Sequence, residues 1–288
     1  MKNKIGAVYS VLSAMLFGLT PLLAKIIYGY GYTSFLVAFL RFAIGTVVLF
    51  IVVKFHNKQK ILLPKKQLLL ILAVSFFYAT MILLMYSAYD YIDSGLTTTL
   101  HFTYPVFVII MAAVIMHKGL NKRHIICTVL AIAGIVFLNN STSAVNYYGV
   151  AIAVLSGLSY AFYIVLTEKF KLDSLPVFVL SFWISLFSAF IVGAIMPFTH
   201  ILPIDLNPKA IGLIILLTLT TNLFAIVLFQ KGLSICGGVQ ASLLSTFEPL
   251  TSVVVGLTVF NENLTLNVFI GITLILSSTV ILVIYKKE

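Results

Sequence analysis

Glu248 and Pro249 stand near the middle of Gly238 to Glu262 (GVQASLLSTFEPLTSVVVGLTVFNE), an apolar run long enough to cross a bilayer. A carboxylate at that depth costs about 2.5–3.5 kcal/mol on insertion scales, so it is kept for a pathway or a partner. Two readings stand: a coupling carboxylate that exchanges a proton when water arrives, and a packing carboxylate hydrogen-bonded to neighbouring helices. Pro249 lacks an N–H and its ring displaces the Ser245 carbonyl, which predicts a kink, with Ser242, Ser245 and Thr246 at hand to satisfy the freed backbone. Pro105 lies 144 residues earlier in a second apolar run, Gly95 to Lys118, and predicts a matching kink. His101 precedes Pro105 by one turn. It reads as a proton shuttle or solute contact, or as a hydrogen-bonded packing histidine.

Arg41 lies about 12 Å inside its helix, taking about eight residues at about 1.5 Å each. It either clamps an anion or carboxylate or snorkels to the outer headgroups, where Asp90 and Asp93 are available to pair with it, and the snorkelling reading is preferred. Lys25 reads as a snorkelling anchor. Tyr78 and Tyr86 stand 144 residues before Asn222 and Gln230 respectively. With Tyr160 and Tyr163 they are candidate cavity-lining groups, although interhelical hydrogen bonding alone accounts for each singly. No second histidine at metal-binding spacing accompanies His101, and Cys127 and Cys236 read as unpaired thiols, so neither metal nor cofactor is expected.

These residues need helices to hold them in lipid. The 288-residue chain is 61% hydrophobic and 9% charged, which excludes a soluble domain and fits a polytopic membrane protein. Ten helices are expected near 5–27, 33–53, 68–89, 95–116, 123–139, 148–168, 176–198, 209–230, 238–260 and 265–285. The first reads as a retained membrane helix, too long for the apolar core of a signal peptide. With the N-terminus inside, the cytoplasmic links carry 15 of the 18 Lys and Arg residues, which places both termini in the cytoplasm. The net charge of +10 is thereby assigned to the membrane face and not to nucleic acid.

A duplication underlies the pattern. Val11 to Gly18 (VLSAMLFG) matches Val154 to Ala161 (VLSGLSYA) 143 residues later, with small residues every four positions: Ser10, Ala14, Gly18 and Ala153, Gly157, Ala161. Five helices per half is an odd number, so the second half is expected inverted. The fold expected is an all-α membrane protein of ten transmembrane helices as two inverted five-helix repeats, divided 1-143 and 144-288, with a site between them.

The chain resembles the drug/metabolite transporter superfamily in its EamA-type, ten-helix branch. The markers are Phe17-Gly18 with Lys25, Arg41, Tyr104-Pro105-Val106-Phe107, Glu248-Pro249, and Asn261 to Thr265 (NENLT). His117-Lys118 stands where that family often has Gly-Glu. The resemblance implies a central cavity lined by helices one, three, four, six, eight and nine. It also implies secondary transport, often export, of amino acids or other metabolites. The function expected is a permease in the cell membrane that works by alternating access on a small-molecule substrate. Its surroundings are the lipid bilayer, with a monomer or homodimer as the assembly. The alternatives are an intramembrane enzyme, for which HExxH is missing and Gly157 to Ala161 (GLSYA) lacks the last glycine of a nucleophile elbow, and a channel, for which no filter loop is visible.

Overall fold

In a computed structural model of the chain, residues 2–56, 59–92, 94–117, 119, 122–138, 146–196, 207–251, 254 and 265–284 are described. Every regular element among them is helical. Among the described residues, six helices are long and apolar enough to cross a membrane: Lys4–Tyr28, Ser34–Phe55, Lys65–Ala88, Tyr147–Lys169, Val177–Ile195 and Pro208–Cys236. The protein is a helical membrane protein.

The first span is broken into α1 (Lys2–Phe17) and α2 (Thr20–Tyr28), where one continuous helix is expected. Pro21 has no N–H to donate, and the break falls at Gly18 and Leu19 just before it. Thr33 caps α3 (Ser34–Ile51), its hydroxyl accepting from Leu36 N at 3.3 Å, and the helix ends in a π-helical turn, Val52–His56. α4 (Lys65–Ala88) starts directly after Pro64, three residues before the expected position.

The expected helix at 95–116 is two pieces, α5 (Ser94–His101) and α6 (Tyr104–Met116). Pro105 sits in the first turn of α6, where the missing N–H costs no intrahelical bond, so it begins a helix there and does not merely bend one. α7 (Lys122–Leu138) follows. Asn146 then caps α8 (Tyr147–Lys169), accepting from Tyr148 N at 3.0 Å and Gly149 N at 3.2 Å. α9 is Val177–Ile195 and α10 is Pro208–Thr218.

A π-helical turn, Leu219–Ala225, joins α10 to α11 (Ile226–Cys236), which runs six residues past the expected end at Gln230. Gly237, at φ 82°, ends it by donating to Leu233 O at 2.8 Å. α12 (Gly238–Leu244) is interrupted at Ser245 and Thr246 before the chain turns helical again over 247–251. Most of the remaining expected span to residue 260 lies outside the described residues. α13 (Leu266–Ile284) is the last element.

The main helix pairs are α1 with α11, α3 with α9, α4 with α8, and α7 with α13, and each joins the first half of the chain to the second. Two of these crossings repeat in detail. A Cβ on Gly6 would stand 2.8 Å from Ile235 Cγ2, and one on Gly149 would stand 2.8 Å from Ile92 Cγ2. Gly149 follows Gly6 by 143 residues, and Ile235 follows Ile92 by the same 143. At both crossings a backbone approaches a branched side chain more closely than any residue with a Cβ allows. α7 and α13 meet in the same way, with Gly134 against Gly271 O and Ser278 Oγ donating to Cys127 O at 2.8 Å.

Candidate functional site

Arg41, Tyr78, Tyr86 and Asn222 converge on one network. Arg41 lies in α3 with 1% of its surface accessible. Its Nε donates to Asn222 Oδ1 at 2.8 Å, Nη1 to Tyr86 Oη at 2.9 Å and Nη2 to Tyr78 Oη at 3.0 Å. Asn222 Nδ2 donates to Arg41 O and to Ser185 Oγ, both at 3.1 Å, and Thr221 Oγ1 donates to Asn222 Oδ1 at 3.3 Å. The π-helical turn widens the helix around Asn222 and gives its amide two directions to bond. Gly45 makes the room: a Cβ there would lie 2.6 Å from Asn222 Nδ2.

The snorkelling reading of Arg41 is therefore corrected. The guanidinium bonds inward to neutral groups, and among the described residues no carboxylate forms an ion pair with it. Asp93 lies outside those residues, as does the side chain of Lys25. Ser185 was not singled out from the sequence, though it stands 144 residues after Arg41 and the repeat offset points to it.

Tyr160, Tyr163 and Gln230 form a second group across α8 and α11. Gln230 Nε2 donates to Tyr163 Oη at 3.4 Å, and Gln230 Oε1 accepts from Ser181 Oγ at 2.9 Å. Tyr160 stacks on Tyr163 with ring centroids 5.7 Å apart, and Tyr163 lies 5.0 Å from Tyr78, which joins this group to the arginine network. Tyr104 also meets Tyr160 edge-on at 4.8 Å, and its hydroxyl donates to Ser242 O at 3.2 Å.

His101 ends α5 at the edge of this aromatic cluster, 5.4 Å from Tyr104 and 5.7 Å from Tyr160 between ring centroids. Its Nδ1 is 2.8 Å from Ser156 Oγ, while that hydroxyl donates to Ala153 O at 2.6 Å. Ser156 has one proton and commits it to Ala153, so the imidazole Nδ1–H is the donor of the pair. The His101 carbonyl lies 2.6 Å from where a Cβ on Gly157 would be, which ties the break after α5 to a glycine of α8.

Glu248 is placed by the break after α12. Ser242 Oγ donates to Val239 O at 2.9 Å, Ser245 Oγ to Ala241 O at 3.0 Å and Thr246 Oγ1 to Leu243 O at 2.8 Å, so hydroxyls cover carbonyls around the interruption. The Glu248 carbonyl then lies 2.6 Å from where a Cβ on Gly18 would be, so the break in the first span and the break at Ser245 face each other. The carboxylate is within electrostatic reach of Arg41, Tyr78, Tyr89, Tyr104 and Tyr160. Glu248 is half-buried, and tyrosines within that reach are covered, with Tyr78 2%, Tyr104 1% and Tyr160 6% exposed.

Comparison with known proteins agrees with this architecture. The chain is 26% identical over 253 residues to an uncharacterised transporter of Archaeoglobus fulgidus, covering 86% of this chain and 87% of that one. A protein of known crystal structure superposes with a TM-score of 0.80 at 16% identity over 96% of both chains, a likeness of fold alone. The model of the EamA-like transporter family matches twice, over residues 4–140 and again over 147–284. A buried polar network between two copies of one family's unit, inside a bundle of apolar helices, is thus the interior of a transporter: the chain belongs to the EamA-like transporter family.

Proposed function

We propose that this protein is a secondary carrier in the cell membrane that exports a small metabolite such as an amino acid. It works by alternating access, with two inverted five-helix halves meeting at the hollow beside Glu248 and both termini in the cytoplasm. The observation that carries the reading is the repeated crossing: Gly6 against Ile235 and Gly149 against Ile92, equal in contact and 143 residues apart. If the halves are inverted, these equivalent contacts close opposite ends of one hollow. Parting one while the other holds exposes the hollow to one side at a time. Glycine suits the task, because its contact carries no interlocked side chain that must be withdrawn first.

In this mechanism Glu248 carries the coupling proton, and the helix breaks before Pro105 and Pro249 are the flexible points. Arg41, Tyr78, Tyr86, Asn222, Tyr160, Tyr163, Gln230 and His101 shape the binding site. The pairing of α1 with α11 and α4 with α8 supports a site shared by both halves. Membership of a transporter family favours this over an intramembrane enzyme or a channel.

The test is a metabolite comparison between cells that overproduce the protein and empty-vector cells. One compound moving from cell to medium, chemically unchanged, is the expected result and names the solute. An unaltered metabolite distribution in cells with verified membrane insertion, or the appearance of a chemically modified product, contradicts the reading.

A further inference from the structure

The chemistry around Arg41 is unbalanced: it holds many donors and few acceptors. Arg41 uses three of its five N–H groups on neutral partners, leaving one on each terminal nitrogen. Tyr78 and Tyr86 accept from it through their oxygens, so each phenol keeps its own proton to give, and among the described residues neither has an acceptor for it. Tyr28 stands beside them at the end of α2, edge-on to Tyr86 with ring centroids 6.5 Å apart. Its hydroxyl is buried and, among the described residues, has no hydrogen-bond partner. A buried hydroxyl without a partner carries a full desolvation cost and calls for an explanation.

One kind of ligand answers this surplus of donors: an anion with two coplanar oxygens. We propose that Arg41, Tyr28, Tyr78 and Tyr86 form a carboxylate-binding site, and that the carrier's solute is held there by its carboxylate. The inference rests on the carrier reading and specifies its substrate class. A guanidinium presents parallel N–H groups that match a carboxylate, and phenol donors on either side raise the selectivity over a neutral amide. Solutes without a carboxylate leave the arginine charge and three phenol protons unanswered, which is a strong basis for rejection. A carboxylate can also come from within the chain, since Glu248 lies within electrostatic reach of Arg41.

The test is ligand-dependent thermal stabilisation of the purified, full-length protein, which requires no transport. The probes are acetate with acetamide, benzoate with benzamide, leucine with leucinamide, and the remaining common amino acids as free acids. At least one acid is expected to stabilise the wild type while its amide does not. Tyr28→Phe, which removes a hydroxyl without a partner among the described residues, is expected to weaken that response roughly threefold to tenfold. Arg41→Gln is expected to weaken it roughly tenfold or more. Failure of every acid with the wild type overturns the proposal, as does an amide that acts as well as its acid or a Tyr28→Phe response equal to wild type. Stabilisation by acids in Glu248→Gln but not in wild type assigns the seat to the chain's own carboxylate and overturns the solute assignment. Acid binding that depends on Arg41 and Tyr28, in a protein that moves no solute, sustains this site and sinks the carrier reading.

Discussion

Replacing Asn222 with alanine should cost more than removal of a single polar side chain ordinarily does. Its Oδ1 satisfies Arg41 Nε at 2.8 Å, and its Nδ2 satisfies Arg41 O and Ser185 Oγ at 3.1 Å each. Alanine leaves a guanidinium N–H and a backbone carbonyl without those partners at a site where Arg41 is 1% exposed. A hydrogen bond to a charged group is worth about 1.5–3 kcal/mol and a neutral one about 0.5–1.5, so Asn222→Ala should lose about 3–5 kcal/mol. Ser185→Ala should lose only about 1 kcal/mol, because Asn222 Nδ2 keeps its bond to Arg41 O. The double variant should fall short of the summed losses by about 1 kcal/mol, since the bond between the two side chains can be lost only once. The assay is equilibrium unfolding in mixed micelles of rising SDS content, followed by circular dichroism. A loss below about 1 kcal/mol for Asn222→Ala, or strict additivity in the double variant, refutes the reasoning that these buried groups depend on one another.

Further predictions concern the places where helices meet. Ser10 Oγ lies 3.9 Å from Cys236 Sγ, so Ser10→Cys should form a disulfide with the native cysteine under mild oxidant and block solute flux until reductant is added. Full flux in a quantitatively cross-linked sample would show that this crossing need not open. Gly18→Val should destabilise the protein by about 1–3 kcal/mol through overpacking, because a Cβ there meets the Glu248 carbonyl at 2.6 Å and Thr251 Cβ at 2.8 Å. Flux is expected to fall with it, and an unaltered unfolding midpoint would disprove the close contact.

The sequence made much of the site legible through its repeat. Tyr78 and Asn222 stand 144 residues apart, the repeat offset, and both bond Arg41. Direction was harder to read. An intramembrane arginine suggests an acidic partner or a headgroup, and nothing in the residue types signals that two phenols and an amide surround it. Tyr28 and Tyr89 lie near their helix ends, where tyrosine ordinarily reads as an interface anchor, so their place beside Tyr86 was not apparent. The helix expected over 209–230 continues to Cys236. There the Lys231 ammonium lies over the rings of Tyr9 and Phe178, at 5.6 and 6.0 Å. The break in the first span did have a signal in Pro21. The spacing of the flanking Gly18 marks it as a packing residue, and its contact with the backbone of Glu248 depends on a tertiary approach that spacing within one helix does not reveal.

The central claim is that Glu248 couples solute movement to protons. The most direct measurement is solute flux driven by a pH gradient in proteoliposomes of Glu248→Gln, using the solute named by the metabolite comparison and a preparation whose membrane insertion matches wild type. The account predicts that gradient-driven flux is abolished in the variant. Wild-type rates with wild-type pH dependence in Glu248→Gln would contradict it.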